Sequence, residues 1–222
     1  MVITEKVIDG EKGCKVRLVV HGNQAMDQLN TDLPTVRKSS LRLLFFIAAQ
    51  YGWRVKTADV TSAFLQADQL DRDVHVKPPA DIHVAGTLWK LWVPVYGMGD
   101  SGKKWYLTIS VWLVNKGCIK ADHDPAFFFY VWKGELRGVI CLHVDDGIYC
   151  GDTIFEEKII KPMMEKFQFG KIEEGDFKSL GWNIENNSNK EILVSQVEYI
   201  ESKLEYLPLE QEGLHLDKTS LS

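Results

Sequence analysis

Residues 138–150 read Gly-Val-Ile-Cys-Leu-His-Val-Asp-Asp-Gly-Ile-Tyr-Cys, two apolar runs interrupted by adjacent carboxylates. Both runs are rich in β-branched, aromatic and sulfur side chains, which predicts two buried strands. The polar break between them is about two residues long, the length of a tight hairpin. The tip of a hairpin whose two strands are buried is a poor place for two like charges. No basic residue neighbours Asp145 or Asp146, and repulsion with partial desolvation should raise at least one of their pKa values. A hard divalent cation would relieve the conflict, because oxygen ligands suit Mg²⁺ and its charge favours the ionised carboxylates. A solvated Asp-Asp-Gly turn is the plainer alternative.

Composition narrows the frame. The 222 residues are 45% hydrophobic, enough for one large domain or two small subdomains with a core. The longest apolar run, Leu43–Ala49, is bounded by Arg42 and Gln50. It falls well short of the roughly 18 residues that span a bilayer, so it predicts a buried helix and no membrane partner. Charged residues Glu5, Lys6, Asp9, Glu11 and Lys12 interrupt any signal-peptide pattern. Cys14, Cys118, Cys141 and Cys150 form no CxxC pair, which argues against zinc and reads as reduced intracellular thiols. The net charge is −5, but the first 155 residues are close to neutral and the excess acid follows them. Any polyanion contact is therefore expected in the first two thirds of the chain.

The periodicities predict strands over 11–20, 53–60, 74–77 and 88–93, and a helix from Leu41 to Gln50 capped by Ser39 or Ser40 and ended by Gly52. That helix is apolar on nearly every face, as one packed under a sheet should be. A short helix should begin at Ala63, and a longer one span Ser101–Lys116 with Trp105, Ile109, Trp112 and Leu113 on one side. Strands over 127–132 and 136–142 should pair around Lys133-Gly134, ahead of the Asp-Asp turn and the strand Ile148–Cys150. A helix over 153–167, a hairpin over 177–194 and a last helix from Gln196 complete the pattern. Strands and helices mix without strict alternation, so the class is α+β, with helices on one face of a largely antiparallel sheet.

A third carboxylate, Asp59, ends a strand pattern and precedes Val60-Thr61-Ser62-Ala63-Phe64-Leu65. Three converging carboxylates can hold two metal ions about 4 Å apart for phosphoryl transfer. Sequence spacing alone does not bring them together. In order along the chain stand Lys15–Gly22, Pro34-Thr35-Val36-Arg37, Asp59–Leu65, Lys77-Pro78-Pro79, Leu91 and Val95-Tyr96-Gly97-Met98. Trp105-Tyr106, Asp124-Pro125-Ala126-Phe127, His143-Val144-Asp145-Asp146, Leu180-Gly181 and Ser195–Ile200 follow. This succession, over about residues 12–204, resembles the copia-type retrotransposon reverse transcriptase.

The resemblance implies a right-hand polymerase with fingers and a mainly antiparallel palm sheet backed by helices, the thumb largely absent. Residues 1–58 would be partial fingers and the start of the palm. Residues 59–185 would be palm with an interleaved fingers segment, and 186–222 the end of a palm hairpin and the start of thumb or connection. It implies RNA- or DNA-templated DNA synthesis with two Mg²⁺ or Mn²⁺ ions held by Asp59, Asp145, Asp146 and the Val60 carbonyl. Phe64 stands where the family has an aromatic that excludes ribonucleotides, since a ring under the sugar collides with a 2′-hydroxyl; a core Phe is the alternative. Arg17 and Lys15, two apart on one strand, would face the incoming dNTP triphosphate, unless they are surface charge on an edge strand. Gly97 falls in the segment beneath the nucleotide and template, where a missing side chain permits close approach; a simple turn into the next helix is the alternative. Asp100-Ser101-Gly102 departs from the Gln-Ala-Pro-like sequence of many relatives, so no base-contacting side chain is named there.

His143 replaces the commoner Tyr, and two neighbouring carboxylates should bias it toward its protonated form. No catalytic role is assigned to it. Leu180-Gly181-Trp182 falls at the hairpin that grips the primer end, or is a core hairpin. The implied setting is a longer Pol polyprotein with integrase and ribonuclease H, in a cytoplasmic virus-like particle or the nucleus, acting on a primed RNA or DNA template and dNTPs. A non-catalytic remnant that keeps the fold as a nucleic-acid-binding or interaction module is the competing reading. A metal-dependent phosphohydrolase is disfavoured, since no general base or phosphate loop accompanies the aspartates.

Overall fold

The two apolar runs pair as β8 (Glu135–His143) and β9 (Asp146–Gly151) at the middle of a six-stranded antiparallel sheet. The computed structural model describes residues 2–8, 11–17, 19–21, 31–79, 82, 84–187 and 191–204, with backbone only for the first two strands. From the amino end, β1 (Val2–Ile8) and β2 (Glu11–Arg17) form a separate hairpin. Then come α1 (Lys38–Tyr51), β3 (Lys56–Val60), a 3-10 turn (Ala63–Gln66), and the paired β4 (Val74–Val76) and β5 (Trp89–Leu91). Helix α2 (Ser101–Asn115) leads to β6 (Cys118–Lys120), β7 (Phe127–Trp132), β8 and β9. After β9, α3 (Thr153–Phe155) and α4 (Lys161–Lys166) flank a π turn (Glu156–Ile160), and β10 (Phe169–Glu174) follows. A second sheet of β11 (Phe177–Ser179), β12 (Trp182–Asn186) and β13 (Ile192–Ser195), then α5 (Val197–Glu201), ends the described chain. The main sheet runs β10-β3-β9-β8-β7-β6.

The helices cover both faces of this sheet, not one. Side chains alternate along a strand, so Gly138 and Gly151 share a face while Val139 and Cys150 share the other. A methyl group on Gly138 or Gly151 would stand 2.2 or 2.4 Å from the Phe155 ring, which places α3 on the first face. The Cys150 thiol donates to the Leu44 carbonyl at 3.9 Å, which places α1 on the second. Phe155 itself is fixed by the cap of α3, where Asp152 accepts hydrogen bonds from the amides of Ile154 and Phe155.

Two details of α1 differ from expectation. It begins at Lys38 behind an N-cap Arg37 with no side-chain cap, and the Ser40 hydroxyl is buried without a partner. Gly52 ends it in the left-handed conformation, as its position implied. Only one side is buried, through Leu41, Leu44, Phe45 and Ala48, whereas Phe46 is 66% and Tyr51 52% exposed. The cover on the buried side comes from β8, β9 and the second sheet, where Phe45 meets Trp182 with ring centroids 5.6 Å apart. Strands β1, β6 and β10 carry no clear strand pattern in the sequence. Cys118, Cys141 and Cys150 are free and buried, and burial pushes the thiols up, Cys118 to about 12. Among the described residues no helix is long and apolar enough to cross a membrane.

Gly138→Ala should destabilise the fold by about 1–3 kcal/mol through overpacking against Phe155, measured by urea denaturation. Gly134→Ala, where φ is +81° but nothing lies within 4 Å, should cost less, about 1 kcal/mol of backbone strain.

Candidate active site

Asp59 lies on β3 directly opposite Asp146 on β9. The next rung along is joined by the Val60 amide, which donates to the Asp145 carbonyl at 2.9 Å. Opposed residues in such a ladder have Cα atoms about 4.5–5.5 Å apart and side chains on one face. His143 pairs with Asp146 across β8 and β9, so the hairpin tip is Val144-Asp145. The two aspartates therefore do not share the turn, as their adjacency suggested. Asp145 occupies the tip, and Asp146 is the first residue of the ladder.

The tip is strained and held. Val144 has φ +56°, a left-handed conformation costly for a β-branched residue and stable only when its surroundings impose it. The buried Trp105 indole donates to the Val144 carbonyl at 2.8 Å. Trp105 is in turn wedged edge-on against Phe167, with centroids 5.2 Å apart.

Electrostatics follow from this placement. Burial raises the Asp146 pKa to about 6, and the charges of Asp145 and Asp59 push the same way. His143 goes opposite to expectation: burial lowers its pKa and outweighs the pull of Asp145 toward protonation. Its Nδ1 is buried without a hydrogen-bond partner. Neighbouring charges alone do not decide the imidazole's protonation, because its desolvation opposes them.

The turn after Asp59 is tied to the start of β10 by a residue the sequence reading missed. Gln66 Nε2 donates to the carbonyls of Thr61 (2.6 Å) and Gln168 (3.0 Å), and its Oε1 accepts from the Gln168 amide (2.6 Å). Strand β10 is irregular between Phe169 and Ile172. There a side chain on Gly170 would sit 3.3 Å from both Asp59 Oδ2 and Thr61 Oγ1. No motif or periodicity marked either residue.

Phe64, in the 3-10 turn, packs against Tyr96 with centroids 4.9 Å apart. Gly97, at φ +90°, abuts the end of the N-terminal segment, where a Cβ would stand 2.0 Å from the Val20 carbonyl oxygen. The Val20 amide donates to the Tyr96 carbonyl at 2.9 Å. The close approach that requires glycine here is to chain, at Val19 and Val20. The side chains of Arg17 and Lys15 lie outside the described residues.

Among the described residues no three carboxylate, imidazole or thiol side chains already stand as a metal cage. The residues expected to hold a cation, Asp59, Asp145, Asp146 and the Val60 carbonyl, offer only oxygen, the ligand type a hard divalent cation takes. The Asp146 carboxyl, raised by burial and by the charges of Asp145 and Asp59, is the group such a cation would relieve.

A family model described as reverse transcriptase (RNA-dependent DNA polymerase) matches residues 2–212. The chain is similar to a retrovirus-related Pol polyprotein from transposon TNT 1-94 of Nicotiana tabacum, 26% identical over 205 residues, covering 86% of this chain and 15% of that protein. It is also similar to those from transposons RE2 and RE1 of Arabidopsis thaliana. The first is 26% identical over 159 residues, 69% of this chain and 11% of that protein. The second is 27% identical over 143 residues, 62% and 10%. The chain thus spans 15% or less of the length of these curated relatives.

The raised Asp146 pKa predicts a pH signature. A carboxyl whose pKa rises on folding lends full stability below its unfolded value near 4 and loses it as pH rises through about 6. Asp146→Asn should therefore stabilise the metal-free protein by about 1–2 kcal/mol at pH 7, after allowance for screening. The gain should vanish below pH 4, as urea midpoints across that range would show.

Proposed function

Because this chain belongs to the reverse transcriptase (RNA-dependent DNA polymerase) family, we propose that it is a polymerase catalytic core that extends a primed RNA or DNA template with dNTPs. The observation that carries this reading is the rung that sets Asp59 against Asp146 beside the Val144-Asp145 tip. Asp59, Asp145, Asp146 and the Val60 carbonyl would hold two divalent ions, Mg²⁺ or Mn²⁺. Bound there, the ions would supply Lewis-acid chemistry to the primer 3′-hydroxyl and the departing pyrophosphate. Phe64 lies under the sugar and bars a 2′-hydroxyl, braced from behind by Tyr96. Arg17 and Lys15 take the triphosphate, Arg17 through a bidentate guanidinium. Gly97 keeps the segment beneath the nucleotide tight against Val19 and Val20. The six-stranded sheet serves as the palm and the β1–β2 hairpin as part of the fingers. Integrase and ribonuclease H segments of a transposon Pol polyprotein are its natural neighbours.

A second reading, a fold-retaining module without catalysis, is favoured by the net charge of −5, which opposes retention of a polyanion.

Purified protein with Mg²⁺ or Mn²⁺ should extend oligo(dT) on poly(rA), and Asp145→Asn should lower extension by roughly a hundredfold or more with its melting temperature preserved. Equal extension by both proteins removes Asp145 from the mechanism, and no extension by the parent supports the second reading. Phe64→Ala should raise ribonucleotide incorporation by roughly tenfold, the scale of a clash of about 1.4 kcal/mol. Unchanged sugar discrimination refutes the gate.

A further inference from the structure

Two segments, Pro34–Arg37 and Asp124–Phe127, have no part in the chemistry above, and the fold brings them together beside the hairpin. Asp124 is fully buried. Its Oδ2 accepts from the Arg37 amide at 2.9 Å and its Oδ1 from the Ala126 amide at 3.1 Å. Ala126 and Val36, the residues on either side of this carboxylate bridge, each bond to Leu142. The Leu142 amide donates to the Ala126 carbonyl at 2.8 Å, and the Leu142 carbonyl accepts from the Val36 amide at 3.0 Å. The four contacts close a ring that takes up both backbone groups of Leu142, three residues before Asp145. Pro125 is held as well, its carbonyl accepting from the Tyr106 hydroxyl at 2.8 Å.

We propose that Asp124 is a positioning residue for the Asp145 turn, and in relating that turn to ion binding the proposal rests on the reading above. The carboxylate touches no reacting atom. It fixes the Val36–Arg37 strap, and the strap fixes the end of β8. The tip beyond holds a left-handed valine, which relaxes unless both of its flanks are immobile. A buried carboxylate bonded to two backbone amides makes charge-assisted bonds that hold geometry more firmly than a neutral acceptor. An asparagine keeps one acceptor and turns its amide donors toward an N–H.

Arg37 permits a test, because its φ of −77° suits proline. Arg37→Pro removes the backbone donor to Asp124 and sets the ring Cδ against Asp124 Oδ2 in its place, which breaks the bridge outright, and Arg37→Ala deletes the exposed side chain alone. The readout is amide hydrogen exchange at Val60, whose N–H bonds the Asp145 carbonyl and so reports the turn. Ile184 on β12, in the other sheet, reports the fold at large. Asp124→Asn and Arg37→Pro should each speed exchange at Val60 at least tenfold, with Ile184 within twofold of the parent. Arg37→Ala should leave both unchanged, and the double variant should be no worse than either single one. Titration with Mn²⁺ alone should show affinity lowered fivefold or more in the same two variants.

Unchanged exchange at Val60, a parallel loss at Ile184, or an Arg37→Ala that matches Arg37→Pro would overturn the proposal. So would altered exchange with unaltered Mn²⁺ affinity. A parent that binds no Mn²⁺ while Val60 exchange behaves as expected would end the two-ion reading and leave the positioning role standing. If Asp124→Asn does not fold, Arg37→Pro against Arg37→Ala decides the matter.

Discussion

Across the antiparallel ladder of β3 and β9, Asp59 faces Asp146. Like charges directly opposite one another destabilise a sheet, yet here the backbone bonds of the rungs enforce it. A slip of one residue in that register would send Asp59 to the other face and leave no acidic cluster at all. The register is held from both sides. Ala58 and Val60 pack into the core, and Thr57 donates to the Gly147 carbonyl at 3.2 Å across the same pair. The sheet thus carries an electrostatic cost that only a bound cation or a proton can remove.

The hairpin tip shows how that cost is contained. Its conformation comes from bonds to backbone atoms supplied by side chains far away in the sequence. Trp105 of α2 takes the Val144 carbonyl, Gln66 ties the turn after Asp59, and Asp124 ties the strap beside β8. Trp105 and Asp124 are themselves buried. Rigid geometry at the carboxylates is a property of this outer frame as much as of the acidic residues.

The parts of the fold that depend on local pattern were legible. Helix α2, the β7–β8 pair around Lys133-Gly134 and the central hairpin follow from apolar period and turn residues. What escaped depends on partners distant in sequence. Strand β10, Phe-Gly-Lys-Ile-Glu-Glu, has no alternation because its irregular stretch breaks the period. Ser39 and Ser40 are good local caps, but the entry to α1 is set by Asp124 across a gap of 87 residues. The protonation bias of His143 reversed because burial is a tertiary quantity. At the candidate site, the three aspartates and Phe64 were recognisable by residue type and order. Gln66 and Gly170 were not, since an amide bridge and an empty Cβ position leave no trace in a single sequence.

The irregularity of β10 has an effect beyond Asp59. Among the described residues this strand is one of the two edges of the main sheet, and a straight edge of open amides and carbonyls invites another copy to add a strand. The break between Phe169 and Ile172, together with outward Lys171, spoils that edge as a template for aggregation. The kink that spares Asp59 from a covering side chain therefore also works against strand addition by a second copy along that edge.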